Sequence, residues 1–253
     1  MLMGSKSLQQ VSINFQETVE YRSNTTAAGV RFTPTIEAAL APMMRSLAAS
    51  LPRAHRGVAM MAEVPGPVGI PDLVVMPAPG KALKNRLASG IPPVLKQAHV
   101  HMLVTLKFQQ GTGVRALAKR LGKSDEWTAA ALRELSQNGA AILRNGLAYR
   151  AEEVRPTGRI YALEAKVDDW RSGVRQAFRY RAWCDASVLV VARMPKDKTP
   201  LLEAVRRLHL GLACGDEWII RPRISPIGMH NRLLGSEHFV AAIGFTPTRF
   251  PLP

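Results

Sequence analysis

Apolar runs bounded by turn-forming residues predict the strands of this chain. Residues 57–64 and 70–76 are both apolar, and the Pro-Gly-Pro-Val-Gly segment at 65–69 interrupts them, so the pair predicts a β-hairpin. Residues 158–167 form a short apolar strand that ends in charged residues. Residues 186–192 are continuously apolar and rich in β-branched side chains, which is typical of a central strand covered on both faces.

Helical spacing of apolar residues predicts helices between these strands. The first begins at Thr35 and carries apolar residues at helical spacing to Leu47, although Pro42 should kink or delay it. Asp168 is expected to cap a second helix that runs to about Trp183.

The last part of the chain gives weaker signals. A helix is predicted to begin at Thr199 with a proline at its first position, and Gly211 is expected to close it. Residues 211–214 and 218–224 can form short outer strands. After Pro226 the periodic pattern fades, and no element is predicted there.

The middle of the chain follows a different pattern. After a linker with one short helix (77–92), helices are predicted over 93–108, 114–121 and 124–137. Gly122 ends the second of them, and an Asn-Gly turn at 145–146 predicts a hairpin over 141–150. Three helices with a tight second turn followed by a hairpin resemble a winged helix-turn-helix over about residues 93–152.

That resemblance implies contacts with DNA, because the third helix of this family enters the major groove and the hairpin touches the backbone. Winged helices also serve as protein-docking modules, and Ala129 to Ala131 leave the third helix few side chains for reading bases. The residues implied in DNA contact are Ser124, Glu126, Thr128, Arg133 and Gln137 on the helix, Arg144 and Arg150 on the hairpin, and Lys119, Arg120 and Lys123 around the turn.

Charge and composition bound the function. The chain has 253 residues, of which 47% are hydrophobic, which suits one large domain or two small ones. Its net charge of +15 favours a polyanionic partner such as nucleic acid, the alternative being a generally basic surface with no specific ligand. Two distant cysteines, Cys184 and Cys214, indicate a reducing compartment. With no long apolar run and no signal pattern, we expect a cytoplasmic protein without a membrane partner.

Charged residues gather at the end of the strand predicted over 158–167. Side chains alternate along a strand, so Glu164 and Lys166 point to the same face. Asp72 begins an apolar strand where aspartate is unusual, although a turn-closing role is an alternative. Glu37 lies in the first turn of the first helix, where a carboxylate also complements the helix dipole. Gln176 and Tyr180 share one face of the helix that follows.

These residues and their order resemble the PD-(D/E)XK, or restriction-endonuclease-like, nuclease superfamily. Pro71-Asp72 matches the first motif, Glu164-Ala-Lys166 matches the second, and Gln176 with Tyr180 is similar to the RecB-like branch. The separation between Asp72 and Glu164 is longer than this family usually has, and the inserted winged helix accounts for the excess. The plain alternative is that Glu164 and Lys166 form an ion pair at a strand end.

The resemblance implies an α/β fold with a mixed central sheet flanked by helices, and a Mg²⁺- or Mn²⁺-dependent nuclease that acts on DNA. Asp72 and Glu164 would hold the metal, with Glu37 holding a metal-bound water or a second ion. Lys166 would position the water or stabilise the transition state, and Gln176 would orient the nucleophile or a phosphate. Further nucleic-acid contacts are expected from Arg175, Arg179 and, unless it only packs, Tyr180.

The predicted organisation has an inserted unit within one core. Alternatives are a non-catalytic DNA-binding or regulatory protein on a degenerate nuclease fold, an RNA-directed nuclease, and a protein-docking adaptor; a homodimer is possible by analogy. Glu63, at the end of the strand before Asp72, could also face the site. The predicted parts are a tail over 1–32, core segments over 33–80 and 156–225, the inserted winged helix over 93–152 and an extension over 226–253.

Overall fold

The structure, a computed structural model, describes residues 19–21 and 38–244 of the chain. Apart from one short strand, the predicted tail over 1–32 lies outside these residues. The described strands are β1 Val19–Tyr21, β2 Val58–Ala62, β3 Leu73–Pro77, β4 Thr112–Gly113, β5 Ala141–Arg144, β6 Leu147–Arg150, β7 Tyr161–Lys166, β8 Ala186–Val191, β9 Gly211–Cys214 and β10 Glu217–Ile220.

Eight α-helices are described. They are α1 Ala41–Ala49, α2 Lys81–Ala88, α3 Gln97–Thr105, α4 Val114–Leu121, α5 Asp125–Gln137, α6 Trp170–Tyr180, α7 Thr199–Arg207 and α8 Met229–Gly244. None of them is long and apolar enough to cross a membrane.

Seven strands form one mixed sheet in the order β1-β2-β3-β7-β8-β9-β10. Strands β2, β3 and β7 are antiparallel neighbours, β7, β8 and β9 are parallel, and β10 returns antiparallel along the edge. The helix-bearing connection from β7 through α6 to β8 is the kind that parallel strands require. The predicted α/β class, with a mixed sheet flanked by helices, is therefore confirmed.

Helices cover both faces of the sheet. On one face α1 packs Met44 and Leu47 against alternate residues of the central strands. On the other face α6, α7 and α8 cover the remaining positions, including Val74 and Leu189. Every residue of β8 is buried, as the continuous apolar run predicted.

A second unit is inserted between β3 and β7. Helices α3, α4 and α5 and the three-stranded sheet, in the order β4-β6-β5, enclose their own apolar core. The predicted details are confirmed here: Gly122 ends α4 in a left-handed conformation, and the Ser124 side chain caps α5. Asn145 and Gly146 both have positive φ in the tight turn of the hairpin.

Several predicted boundaries are wrong. Helix α3 spans 97–105 instead of 93–108, because two prolines precede it and Leu106 is already extended. Asp169, not Asp168, caps α6. Gly211 does not end a helix but lies in β9, where a Cβ would meet Pro222 and Val188 at 3.0 Å.

The first helix begins late. Residues 35–37 lie outside the described part, and a 3₁₀ turn over Ala38–Leu40 leads into α1 at Ala41. Pro42 occupies the first turn of α1, where its missing N–H has no helical partner to lose. The α-helix therefore begins next to Pro42, as the expected delay at this proline predicted.

Helix α8 was not predicted, because it lacks a single apolar stripe. Leu233 and Leu234 pack into the core of the inserted unit, whereas Phe239, Val240 and Ile243 pack beneath the sheet. Residues 233–237 are all buried, including the polar Ser236 and Glu237, so the helix shows no amphipathic period in its sequence. Helix α8 therefore joins the inserted unit to the central sheet.

A buried ion pair holds this junction. Arg86 of α2 donates to both carboxylate oxygens of Glu237 in α8, at 2.9 and 2.7 Å, and both side chains are 0% exposed. The remaining donors of Arg86 reach the carbonyls of Ile91 and Pro92, and Glu237 also accepts from the Val94 backbone. Both members of the ion pair therefore make hydrogen bonds to the linker between the two units, and these bonds connect the linker to α8.

Breaking this pair should destabilise the whole chain. We expect Glu237→Leu to lower the free energy of unfolding by about 3–5 kcal/mol, because it leaves the Arg86 guanidinium buried without its counter-charge. Urea denaturation followed by circular dichroism measures the loss. Glu152→Leu, which removes the exposed partner of Arg155, is the control and should cost no more than about 1 kcal/mol. Equal losses in the two variants would contradict a structural role for the buried pair.

Candidate active site

The register of β3 on β7 brings Asp72 to the charged end of β7. Leu73 pairs with Leu163, so extending the ladder by one residue sets Asp72 opposite Glu164. The Asp72 carboxylate accepts a hydrogen bond from the Ala165 backbone N–H at 2.7 Å. Residues from the two predicted motifs, distant in sequence, therefore meet at the same end of two neighbouring central strands.

Glu164 is a buried carboxylate with two side-chain donors. It is 2% exposed, and the Lys166 ammonium lies 2.9 Å from its Oε1 atom. The Tyr180 hydroxyl donates to Oε2 at 2.7 Å. The prediction that Glu164 and Lys166 share one face is confirmed, and α6 covers that face.

Tyr180 remains a hydrogen-bond donor at every pH near neutrality. Burial raises the pKa of its phenol far above the usual value, and the nearby carboxylates of Glu164 and Asp72 raise that pKa further. Its hydroxyl also lies 3.1 Å from the Ile70 carbonyl, just before the Pro71-Asp72 pair. Gly69 allows this approach, because it has φ +76° and a Cβ there would lie 2.8 Å from the Tyr180 ring.

Helix α6 packs closely on the charged end of β7. A Cβ on Gly173 would lie 2.7 Å from the Lys166 side chain, so only glycine lets the helix approach so near. Gln176 lies on the same helix between Gly173 and Tyr180. Its side-chain oxygen is buried and has no hydrogen-bond partner among the described residues, so it retains an unused acceptor.

The sequence predicted a third acid, Glu37, and named Glu63 as a further candidate. Glu37 lies outside the described residues. Glu63 is exposed, although its backbone N–H donates to the Asp72 carbonyl at 3.2 Å. Within the described part of the chain no three His, Cys, Asp or Glu side chains are grouped closely enough to hold a metal ion. The predicted acids that the structure brings to the end of β7 are Asp72 and Glu164.

Most residues predicted to contact nucleic acid are exposed. On the inserted unit the acidic side chains of Asp125 and Glu126 also face solvent in the first turn of α5, where they complement the helix dipole. Ser124 is exposed but uses its hydroxyl to cap α5. The exposed basic residues are Lys119, Arg120, Lys123, Arg133 and Arg144 on the inserted unit and Arg175 and Arg179 on α6.

Three of the predicted nucleic-acid contacts need correction. Thr128 is fully buried and its hydroxyl bonds the Ser124 carbonyl, so it cannot read a base. Tyr180 is buried against Glu164, so its side chain is not accessible to nucleic acid. Arg150 is half-buried and donates to the Leu103 carbonyl of α3, so it braces the hairpin against that helix. Sequence spacing identified the elements but could not separate inward from outward positions.

No protein-family model, curated protein or solved structure matches this chain.

The hydroxyl of Tyr180 should stabilise the buried carboxylate. We expect Tyr180→Phe to lower the free energy of unfolding by about 1–3 kcal/mol, because Glu164 loses a buried donor. Tyr161→Phe is the matched control: Tyr161 is equally buried, but its hydroxyl makes no hydrogen bond to a described residue. Urea denaturation compares the two variants, and a Tyr180→Phe loss no larger than that of Tyr161→Phe would contradict this role.

Proposed function

We propose that this protein is a Mg²⁺-dependent nuclease of the PD-(D/E)XK type that hydrolyses phosphodiester bonds of DNA. The observation that carries the proposal is that Asp72 lies at the end of β7 that carries Glu164 and Lys166. The hydrogen bond from the Ala165 N–H to the Asp72 carboxylate holds it there. Two carboxylates beside one ammonium suit a reaction that must hold a cation and neutralise a phosphate.

The donor set fits a magnesium ion. Mg²⁺ prefers hard oxygen ligands and is usually held by one or two carboxylates, with waters and substrate phosphates completing its shell. Asp72 and Glu164 provide that number of carboxylates. Counting Lys166, the three side chains carry one net negative charge when ionised, so a divalent ion is electrostatically favoured there. When bound, such an ion would acidify a water molecule and stabilise charge on the phosphate.

Each side chain has a role consistent with its surroundings. Asp72 and Glu164 would hold the metal, and Tyr180 would keep the Glu164 carboxylate oriented through its hydrogen bond. Lys166, whose side chain is 13% exposed, would stabilise negative charge on the scissile phosphate. The unused oxygen of Gln176 would orient the attacking water. Glu37 is proposed, on the basis of the sequence resemblance, to hold a metal-bound water or a second ion.

The inserted unit is proposed to be a winged helix that docks the substrate. Support comes from its three helices, its hairpin and the strand order β4-β6-β5. Its exposed basic residues surround the turn between α4 and α5 and reach the hairpin at Arg144. The acids at the start of α5 disfavour phosphates at that point, so backbone contacts are expected from Lys119, Arg120 and Lys123.

Cleavage of DNA in the presence of Mg²⁺ tests the activity. We expect Asp72→Asn, Glu164→Gln and Lys166→Met each to lower the cleavage rate by roughly 100-fold or more, because each removes a group acting on the charged phosphate or its metal. Asp72→Asn is the most informative of the three, since the amide oxygen can still accept the Ala165 hydrogen bond and preserve the fold. Gel electrophoresis of labelled DNA measures the rate.

Matched controls separate chemistry from charge. Lys81→Met and Glu152→Gln alter exposed residues outside the candidate site, and Lys81 follows β3 at the end of the strand opposite Asp72, so both variants should cleave as the wild-type chain does. Wild-type rates in Asp72→Asn would remove the assignment. An absence of cleavage by the wild-type chain with Mg²⁺ or Mn²⁺, together with salt-sensitive DNA binding, would instead establish a non-catalytic DNA-binding protein.

Salt dependence tests the docking role of the inserted unit. Removing Lys119, Arg120 and Lys123 together, as glutamines, should weaken binding to duplex DNA. The slope of log affinity against log salt concentration should become shallower by about 3, since each phosphate contact contributes about 0.9. A variant with glutamine at Arg53, Arg56 and Lys81 loses the same charge at the end of the sheet away from Asp72 and should keep the wild-type slope. Fluorescence anisotropy measures both, and identical slopes in the two variants would exclude this docking surface.

A further inference from the structure

Three arginines form a row along the outer side of α6. Arg171, Arg175 and Arg179 are exposed and recur every four residues, so they lie on one side of the helix. At a rise of 1.5 Å per residue the row is about 12 Å long. The opposite side of the same helix carries Gly173 and Tyr180, which face the sheet.

The row lacks charge compensation. No carboxylate of a described residue forms a salt bridge with any of the three guanidinium groups. The two acids nearest in sequence are otherwise engaged, since Asp168 pairs with Arg193 and Asp169 caps the helix, and residues 170–183 contain no acid. Arg181, just beyond the helix, is different, because it donates to the Leu208 carbonyl and the Ser225 hydroxyl. Like charges four residues apart destabilise a helix, so this row carries a cost that an anionic partner would offset.

Aromatic side chains accompany the arginines. Phe178 is 45% exposed and lies on the same side of α6 as Arg175. At the start of the helix, the Arg171 guanidinium lies 4.4 Å from the centroid of the half-buried Trp170 ring. Basic residues interleaved with an exposed aromatic ring are typical of surfaces on which nucleotide bases stack while phosphates bind cations.

The row and the candidate active site lie on opposite sides of α6. Gly173 approaches the Lys166 side chain from the inner side of the helix, whereas the arginines lie on its outer side. Helix α6 begins four residues after β7 ends, so a strand bound along the row would reach the charged end of β7 by passing the start of the helix.

We propose that the outer side of α6 binds single-stranded nucleic acid, with Arg171, Arg175 and Arg179 on consecutive backbone phosphates and Phe178 stacked on a base. This inference rests on the proposed nuclease function and names the form of its substrate. Neighbouring arginines are about 6 Å apart along the helix axis. This is longer than the rise of about 3.4 Å per nucleotide in a duplex, so the row suits the phosphates of an extended single strand. An exposed ring can reach the face of a base only where that base is not stacked in a duplex.

Binding without cleavage tests the proposal directly. Affinity for a short fluorescein-labelled single-stranded DNA is measured by anisotropy in EDTA, over a series of salt concentrations. Replacing the three arginines with glutamines should make the slope of log affinity against log salt shallower by about 2, since single strands contribute about 0.7 per contact. The variant with glutamine at Arg53, Arg56 and Lys81 should keep the wild-type slope.

A second variant tests the stacking contact. Phe178→Ala should weaken binding of the base-bearing strand by about 5-fold or more and leave binding of an abasic strand unchanged. Both changes lie at exposed positions, and circular dichroism confirms that each variant is folded. Should the triple arginine variant aggregate, Arg175→Gln alone should reduce the slope by about 0.7.

The outcomes separate this inference from the nuclease assignment. A wild-type slope in the arginine variants or an unchanged affinity in Phe178→Ala would overturn the inference. Row-dependent binding of the single strand by a chain that cleaves nothing would uphold it while removing the nuclease. Cleavage of DNA by a chain whose binding of the single strand does not depend on the row would uphold the nuclease and overturn this inference.

Discussion

The antiparallel register of β3 on β7 is the constraint on which the candidate site depends. Val74 and Val75 are buried on opposite faces of the sheet, so a slip of one residue would send each into the wrong core. The same register carries Asp72 to the end of β7, where its carboxylate binds the Ala165 N–H instead of extending into solvent. Core packing therefore fixes the distance between two motifs that the inserted unit separates in sequence.

The buried charge of Glu164 explains why α6 must lie where it does. An ionised carboxylate at 2% exposure is costly unless donors compensate for lost water. Lys166 comes from the same strand, but Tyr180 comes from α6, and Gly173 allows that helix to approach. One helix thus has two roles: its inner side completes the site, and its outer side carries the basic row.

The junction between the two units depends on a second buried charge pair. Arg86 and Glu237 satisfy each other and the backbone of the linker, while α8 contributes apolar residues to both cores. Such a pair contributes little net stability compared with apolar residues, but its directional hydrogen bonds define one arrangement. The inserted unit is therefore held against the sheet through α8 and not only through its two connecting segments.

The sequence by itself determined the elements whose signals are local. Hydrophobic period, the Asn-Gly turn, Gly122 and Ser124 predicted the central strands and the inserted unit, and strand alternation predicted that Glu164 and Lys166 share a face. Only the tertiary structure decided which positions face inward, as for Thr128 and Tyr180, and that α8 exists, because a helix buried between two cores has no polar side to mark its period. It alone also brought Asp72 beside Glu164, since strand pairing between distant segments is chosen by the packing of the whole core.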